Sequence, residues 1–216
     1  MAVGGMLLVD TFSAIADERR ALADLLSGLT PGQLATQSLC EAWTVHDVAA
    51  HLVVPLEVGL PRFLLTMLAC RGDFDRANVR LTREQARRPV DELAQVLRQR
   101  AASRFTPPGA GPEAPLTDLL VHGLDVRWPL GLRRVVPEER LRVSLDWLPS
   151  RPARGLVPRG TFEGLRFEAD DLDWAYGAGP VVRGPADALL LALTGRGAAL
   201  DALDGDGVPA LSSRRS

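Results

Sequence analysis

Apolar side chains near the start of the chain, Leu8, Phe12, Ile15, Leu22, Leu26 and Leu29, recur at alternating steps of four and three, with one place skipped at Arg19. On a helix of 3.6 residues per turn this spacing draws a single apolar stripe, and Gly28 marks its close. A second helix is predicted from Thr44, where Thr44-Val45-His46-Asp47 sets a hydroxyl three places before a carboxylate, a pairing that satisfies free amides at a helix N-terminus. Pro55 and Pro61 lack an amide proton and crowd the preceding turn, so this helix is expected to kink or restart there, its apolar content continuing to about Cys70. A third helical region is predicted around another such box, Thr82-Arg83-Glu84-Gln85, with Val90, Leu93, Val96, Leu97 and Ala101 on one face. After a Pro and Gly rich loop from Pro107 to Pro115, a fourth helix starts near Leu116 and ends by Pro129.

Four helices with modest connections make a four-helix bundle the economical arrangement for this half of the chain. Beyond Pro137 a short helix reaches Leu148, and Ser150 to Gly160 reads as a linker or long loop. The period then changes to two. Phe162, Leu165, Phe167 and Ala169 alternate with Arg166, Glu168 and Asp170, and Trp174 and Tyr176 extend the pattern. Gly177 and Gly179 supply a turn, and Val181-Val182 the returning strand. Pro185 suits the first turn of a helix through Leu193, which Gly195 ends. Ser212 to Ser216 are expected to fray. The expected architecture is mainly α, with a bundle over residues 1–135 followed by a small α+β domain over residues 136–216.

Composition narrows the function classes. Hydrophobic residues make up 46% of the 216 positions, enough to bury a real core, so wholesale disorder is excluded. All 25 basic residues are Arg and 27 residues are acidic; with this balance and no visible basic stripe, nucleic acid is not an expected partner. No apolar run approaches a membrane span, and the segment before Asp10 has no positive region, so neither a membrane partner nor export is expected. Cys40 and Cys70 match no paired spacing and read as free thiols in a reducing compartment, which places the protein in the cytoplasm.

The chain has three histidines, and two fall on inward faces. His51 lies beside Val48 and Leu52 on the apolar stripe of the second helix. Asp118, His122 and Asp125 are spaced i, i+4, i+7 on the fourth, so they share one stripe. A carboxylate and an imidazole one turn apart, faced by an imidazole from another helix, are how bundles build metal sites. Three protein ligands leave a position open, as catalytic sites do, and the nitrogen and oxygen set suits zinc, nickel, iron or cobalt. Spacing alone also permits a core histidine and an ordinary helix pair. Asp47, one turn before His51, is either a rival ligand or a group that orients the imidazole. His46 points the other way and is expected to be exposed. Arg196, just after the helix-ending Gly195, is either an anion grip for substrate or thiol, or a surface arginine in a turn. Trp43 either borders the pocket or packs under the bundle.

The segment Trp43-Thr44-Val45-His46-Asp47-Val48-Ala49-Ala50-His51-Leu52 resembles the tryptophan-to-histidine signature of the mycothiol-dependent maleylpyruvate isomerase family, within the DinB-like bundle superfamily. Asp118-Leu119-Leu120-Val121-His122 is similar to that family's carboxylate-x-x-x-His on the last bundle helix. Gly184-Pro185-Ala186-Asp187 through Leu193-Thr194-Gly195-Arg196, then Asp204-Gly205-Asp206-Gly207, resembles its accessory domain, related to sterol carrier folds. The resemblance implies a divalent metal ion, zinc first, held by His51, Asp118 and His122. It also implies mycothiol as the low-molecular-weight thiol, and a small electrophile that is isomerised or joined to the thiol. The family usually has Glu at the place of Asp118, so the shorter arm must bring the helix closer or leave the acid behind the ligands. A noncatalytic metal-binding or small-ligand-binding protein of the same fold is the alternative. No catalytic side chain and no oligomeric state follows from the sequence.

Overall fold

The computed structural model describes residues 10–214 except 133, 151, 152 and 154. Helix α1 (Thr11–Ser27) starts where an Asp10 carboxylate oxygen accepts from the Phe12 amide at 3.2 Å, and ends at Gly28. Leu8, the first position of the expected stripe, lies outside the described residues. Ile15, Leu22 and Leu26 are buried, each such side chain contributing roughly 1.5–3 kcal/mol. The skipped place is buried as well. Arg19 donates to the carbonyls of Arg100, Ala101 and Ser103 at 3.4, 2.9 and 2.7 Å, satisfying the chain end of helix α6 (Val90–Gln99) from a neighbouring helix.

After the short α2 (Pro31–Leu34), helix α3 (Val45–Glu57) opens with the expected capping box, Thr44 and Asp47 each bonded to the other's backbone amide. Asp47 is thereby occupied and does not act as a rival ligand. Pro55 sits inside the last turn of α3 without stopping it. The break comes at Val58 and Gly59, and α4 (Leu60–Ala69) leaves at a bend of 120°, with Pro61 in its first turn where no amide is needed.

The expected third region divides in two. Asp73 caps α5 (Phe74–Gln85) by accepting from Arg76 at 2.9 Å, and Thr82 to Gln85 form the last turn of that helix, not the start of one. Arg71 and Gly72, both at positive φ, make the turn that lets Asp73 cap, and Pro89 then precedes α6. Against the expectation of no basic stripe, Arg76, Arg80, Arg83 and Arg87 line one exposed face at and beyond α5. His46 is half-buried, not exposed, with Nε2 3.0 Å from the Arg88 carbonyl. Helix α7 (Glu113–Arg127) begins earlier than expected because Pro115 is accepted in its first turn.

Helices α1, α3, α6 and α7 pack as a four-helix bundle, with α5 laid against α3. Helix α8 (Glu138–Trp147) packs on α7 and on α9 (Ala186–Leu193). Strands β1 (Arg166–Ala169), β2 (Ala175–Gly177) and β3 (Val181–Gly184) form a sheet in the order β2-β1-β3. Thus β2 and β3 do not make the expected hairpin: β1 pairs antiparallel with β2 and parallel with β3. Gly179, at φ +131°, crosses so close to Gly164 that a Cβ would lie 2.2 Å from its carbonyl oxygen, and the chain passes over the start of β1 to its far side. The described part of the expected linker packs on the core through Ala153, Leu156 and Val157. The tail also departs from the expectation, since α10 (Val208–Ser213) includes Ser212, and Arg214 donates to Gly160 and Thr161; residues 215 and 216 lie outside the described residues.

Replacing Arg19 by Met keeps its apolar stem but removes the donors to three carbonyls. Urea denaturation should show a loss of roughly 2–4 kcal/mol. A loss under about 0.5 kcal/mol, the size of an ordinary surface substitution, would mean that water serves those carbonyls equally well.

Candidate metal centre

Bundle packing brings α3 and α7 face to face, and with them the three side chains that spacing had singled out. His51 Nε2 lies 3.7 Å and His122 Nε2 3.5 Å from Asp118 Oδ1, and one ligand atom from each residue falls within 4.8 Å of the others. Donors about 2.0–2.1 Å from a tetrahedral ion stand roughly 3.3–3.5 Å apart, so these separations suit a shared ion after little adjustment. The shorter arm of Asp118 therefore still reaches the other two donors.

Exposure falls across the group, from 35% at Asp118 through 12% at His51 to 5% at His122. Beneath His122 lies Asp125, which is fully buried, with Oδ2 2.8 Å from His122 Nδ1. An ionised carboxylate only accepts, so Nδ1 carries the proton, and in the neutral ring the Nε2 lone pair faces Asp118 and His51. His51 is held differently. No carboxylate sits behind its ring; Asn78 is its other polar neighbour, Nδ1 makes no well-aligned hydrogen bond, and the ring stacks on Trp43 at a centroid distance of 4.4 Å. Trp43 also lies 5.7 Å from the His122 ring, so it borders the group and is at the same time buried in the bundle.

Arg196 grips a carboxylate, but that of the protein itself. Its Nε is 3.0 Å from Asp125 Oδ1 and its Nη2 2.8 Å from Oδ2, while Nη1 donates to the Thr194 carbonyl at 2.6 Å. All three nitrogens are engaged within the protein, so Arg196 supports Asp125. This pairing spans 71 positions, and no local spacing signals it.

The charges agree with a cation site. Burial alone would lower the pKa of His122, but Asp118 and Asp125 outweigh it and lift the value to about 9. Burial works against ionisation of Asp118, yet His122 and His51 hold it well below the usual carboxylate range. Burial, aided by His122, pushes His51 down, so it stays neutral. With the carboxylates of Asp118 and Asp125 on either side of His122, the place favours positive charge, and the donor set fits a divalent ion of the zinc class.

Changing Asp125 to Ala would leave the Arg196 guanidinium buried without a carboxylate. The expected loss is roughly 3–5 kcal/mol of unfolding free energy, read by urea denaturation, with a smaller loss for Asp125→Asn, which keeps the shape and one acceptor. A loss below about 1 kcal/mol for the Ala variant would show that the buried charge finds relief elsewhere.

Comparison with known proteins bears on both halves of the site. Residues 15–61 match the sequence profile of the mycothiol maleylpyruvate isomerase N-terminal domain. That span contains Trp43, the Thr44 cap and His51 and stops short of Asp118 and His122. Among solved structures, the mycothiol-dependent maleylpyruvate isomerase aligns with a TM-score of 0.51 at 19% identity, over 88% of this chain and 92% of that one. A histidine-to-alanine mutant of that enzyme aligns over the same shares with a TM-score of 0.50 and 19% identity. No curated protein matches the sequence. Residues 15–61 are thus similar to the mycothiol maleylpyruvate isomerase N-terminal domain, and the chain shares the fold of the mycothiol-dependent maleylpyruvate isomerase.

Proposed function

We propose that the chain is a cytoplasmic, metal-dependent enzyme that uses mycothiol to isomerise a small electrophile or to transfer the thiol to it. The observation that carries this reading is the convergence of one donor atom each from His51, Asp118 and His122, with Asp125 fixing His122 from behind. The names of the matching domain and solved structure support mycothiol as the thiol and isomerisation as the reaction class.

When bound, a divalent ion, zinc first and nickel, iron or cobalt next, would lower the pKa of a coordinated thiol and so supply a thiolate at neutral pH. The chain's own residues prepare the place. Asp125 keeps the proton of His122 on Nδ1 and thereby directs Nε2 toward the centre, and Arg196 locks Asp125 in that pose. Trp43 covers the His51 ring face and keeps water from it. Asp118, the most exposed of the three, borders the side that a small solute reaches. Burial pushes the Cys40 thiol up, and Cys70 ends α4, so the reactive sulfur belongs to the thiol cosubstrate.

A noncatalytic metal-binding protein of the same fold is the second reading, favoured by the short Asp118 arm where the resemblance expects Glu. Metal analysis and a thiol-consumption assay across small electrophiles separate the two: both readings require bound metal, and only the first requires turnover.

Wild-type protein should take up a single equivalent of zinc, and His51→Ala or His122→Ala should abolish it. Asp118→Ala should weaken zinc as much as loss of a histidine if the carboxylate is a ligand, whereas a supporting role predicts only about a 10–100-fold drop. Asp118→Glu should retain or strengthen binding. Equal metal content in wild type and the double histidine variant would defeat the proposal. Separately, a Cys40→Ser/Cys70→Ser protein should keep its thiol-transfer rate; loss of activity with an unchanged melting temperature would return the nucleophile to the protein.

A further inference from the structure

Helix α4 presents its leucines to solvent and Thr66 to the protein. Thr66 is its one buried side chain, while Leu60, Leu64, Leu65 and Leu68 are between 56% and 77% exposed. Phe74, at the start of α5, extends the patch. Together they leave on the order of 500 Å² of largely apolar surface in water, as large as the largest patch on an ordinary monomer and hence a mark of an interaction surface.

The patch is bordered by positive charge. Helix α4 is fastened to α5 by an edge contact of Phe63 on Phe74, centroids 6.2 Å apart, and by Arg62 to Glu84 at 2.6 Å. Glu84 also faces Arg80 at 3.7 Å, so this ion cluster sits at the seam between the helices. From the seam the exposed row of Arg76, Arg80, Arg83 and Arg87 runs along α5. Among the described residues, Arg76, Arg83 and Arg87 have no carboxylate within salt-bridge distance.

The occupant must match both features. A second copy of this chain would bring a like-charged arginine row against the first. A protein partner would need both an apolar groove shaped to α4 and acidic groups set against the arginine row. A bilayer interface needs no preformed shape; it takes leucines into the acyl boundary and offers phosphates to the arginines, whose stems lie along apolar surface while the heads stay wet. No single helix among the described residues is long and apolar enough to cross a membrane, and ten residues reach only about 15 Å, so α4 suits an orientation in the plane.

We propose that the arm formed by α4 and α5 docks the protein onto the surface of an anionic bilayer, with α4 lying in the interface. This goes beyond the metal-centre reading, does not depend on it, and departs from the expectation of no membrane partner.

The test is co-sedimentation of the full chain with vesicles of phosphatidylcholine alone and of equal parts phosphatidylcholine and phosphatidylglycerol. Binding is expected to the mixed vesicles only and to weaken as salt rises. A Leu64→Ser/Leu68→Ser variant and, separately, an Arg76→Gln/Arg83→Gln variant should each lower the partition coefficient by about tenfold or more, with melting temperatures unchanged because all four side chains are exposed. No binding, equal binding to both vesicle types, or binding unaffected by either pair would overturn the proposal. So would a concentration-dependent dimer that the leucine variant dissolves and mixed vesicles do not compete away, since the patch would then belong to a second copy.

Discussion

Asp125 has no exposed surface, and an ionised carboxylate in such a place is costly unless donors surround it. Here Arg196 approaches from the C-terminal unit with two nitrogens and His122 from the same helix with one. The backbone takes part too, because the Asp125 carbonyl accepts from the Leu39 amide at 3.2 Å. One residue thus ties together α7, the turn after α9 and the loop that leads to Trp43. If any of the three moved, the charge would be left short of partners, so their relative placement is more tightly fixed than apolar packing alone would make it.

The same arrangement sets the chemistry of the centre. Because Asp125 accepts a hydrogen bond from His122 Nδ1–H, the lone pair of the neutral ring is the Nε2 one that faces Asp118, and His122 and Arg196 together keep the buried carboxylate ionised. His51 has no buried carboxylate behind it and is held by the neutral Asn78 side chain and the Trp43 stack, a softer restraint that allows its ring to adjust when the donors close on an ion. The centre therefore combines one rigid imidazole with one adaptable imidazole.

Much of this was legible in the sequence where the information is local. The stripes of α1, α3 and α7 and the Thr44 cap follow from steps of three and four, and the placement of His51, Asp118 and His122 follows once those stripes face one core. What the sequence could not show is what joins distant segments. Arg196 meets Asp125 across 71 positions, and Arg19 serves the end of α6 from a place where the stripe seemed only to skip. Helix α5 was missed because its outward face is arginine, so it has too few apolar positions to show a period, and Thr82 mimicked a cap in its last turn. The parallel pairing of β1 with β3 depends on a chain crossing at Gly179, and alternation of residues says nothing about strand order.

The gradient of exposure across the three donors has a structural cause of its own. His122 is nearly enclosed, with the buried Asp125 behind it, whereas Asp118, one turn nearer the start of α7, keeps 35% of its side chain exposed. A longer side chain at that place would extend further into the open side, while aspartate keeps its carboxylate close to the helix and within 3.7 Å of both imidazole nitrogens. The short arm thus leaves more of the approach clear while retaining the donor. On the proposed reading, any solute that approaches the centre meets it past Asp118, because the deep side is closed by the buried Asp125 and Arg196.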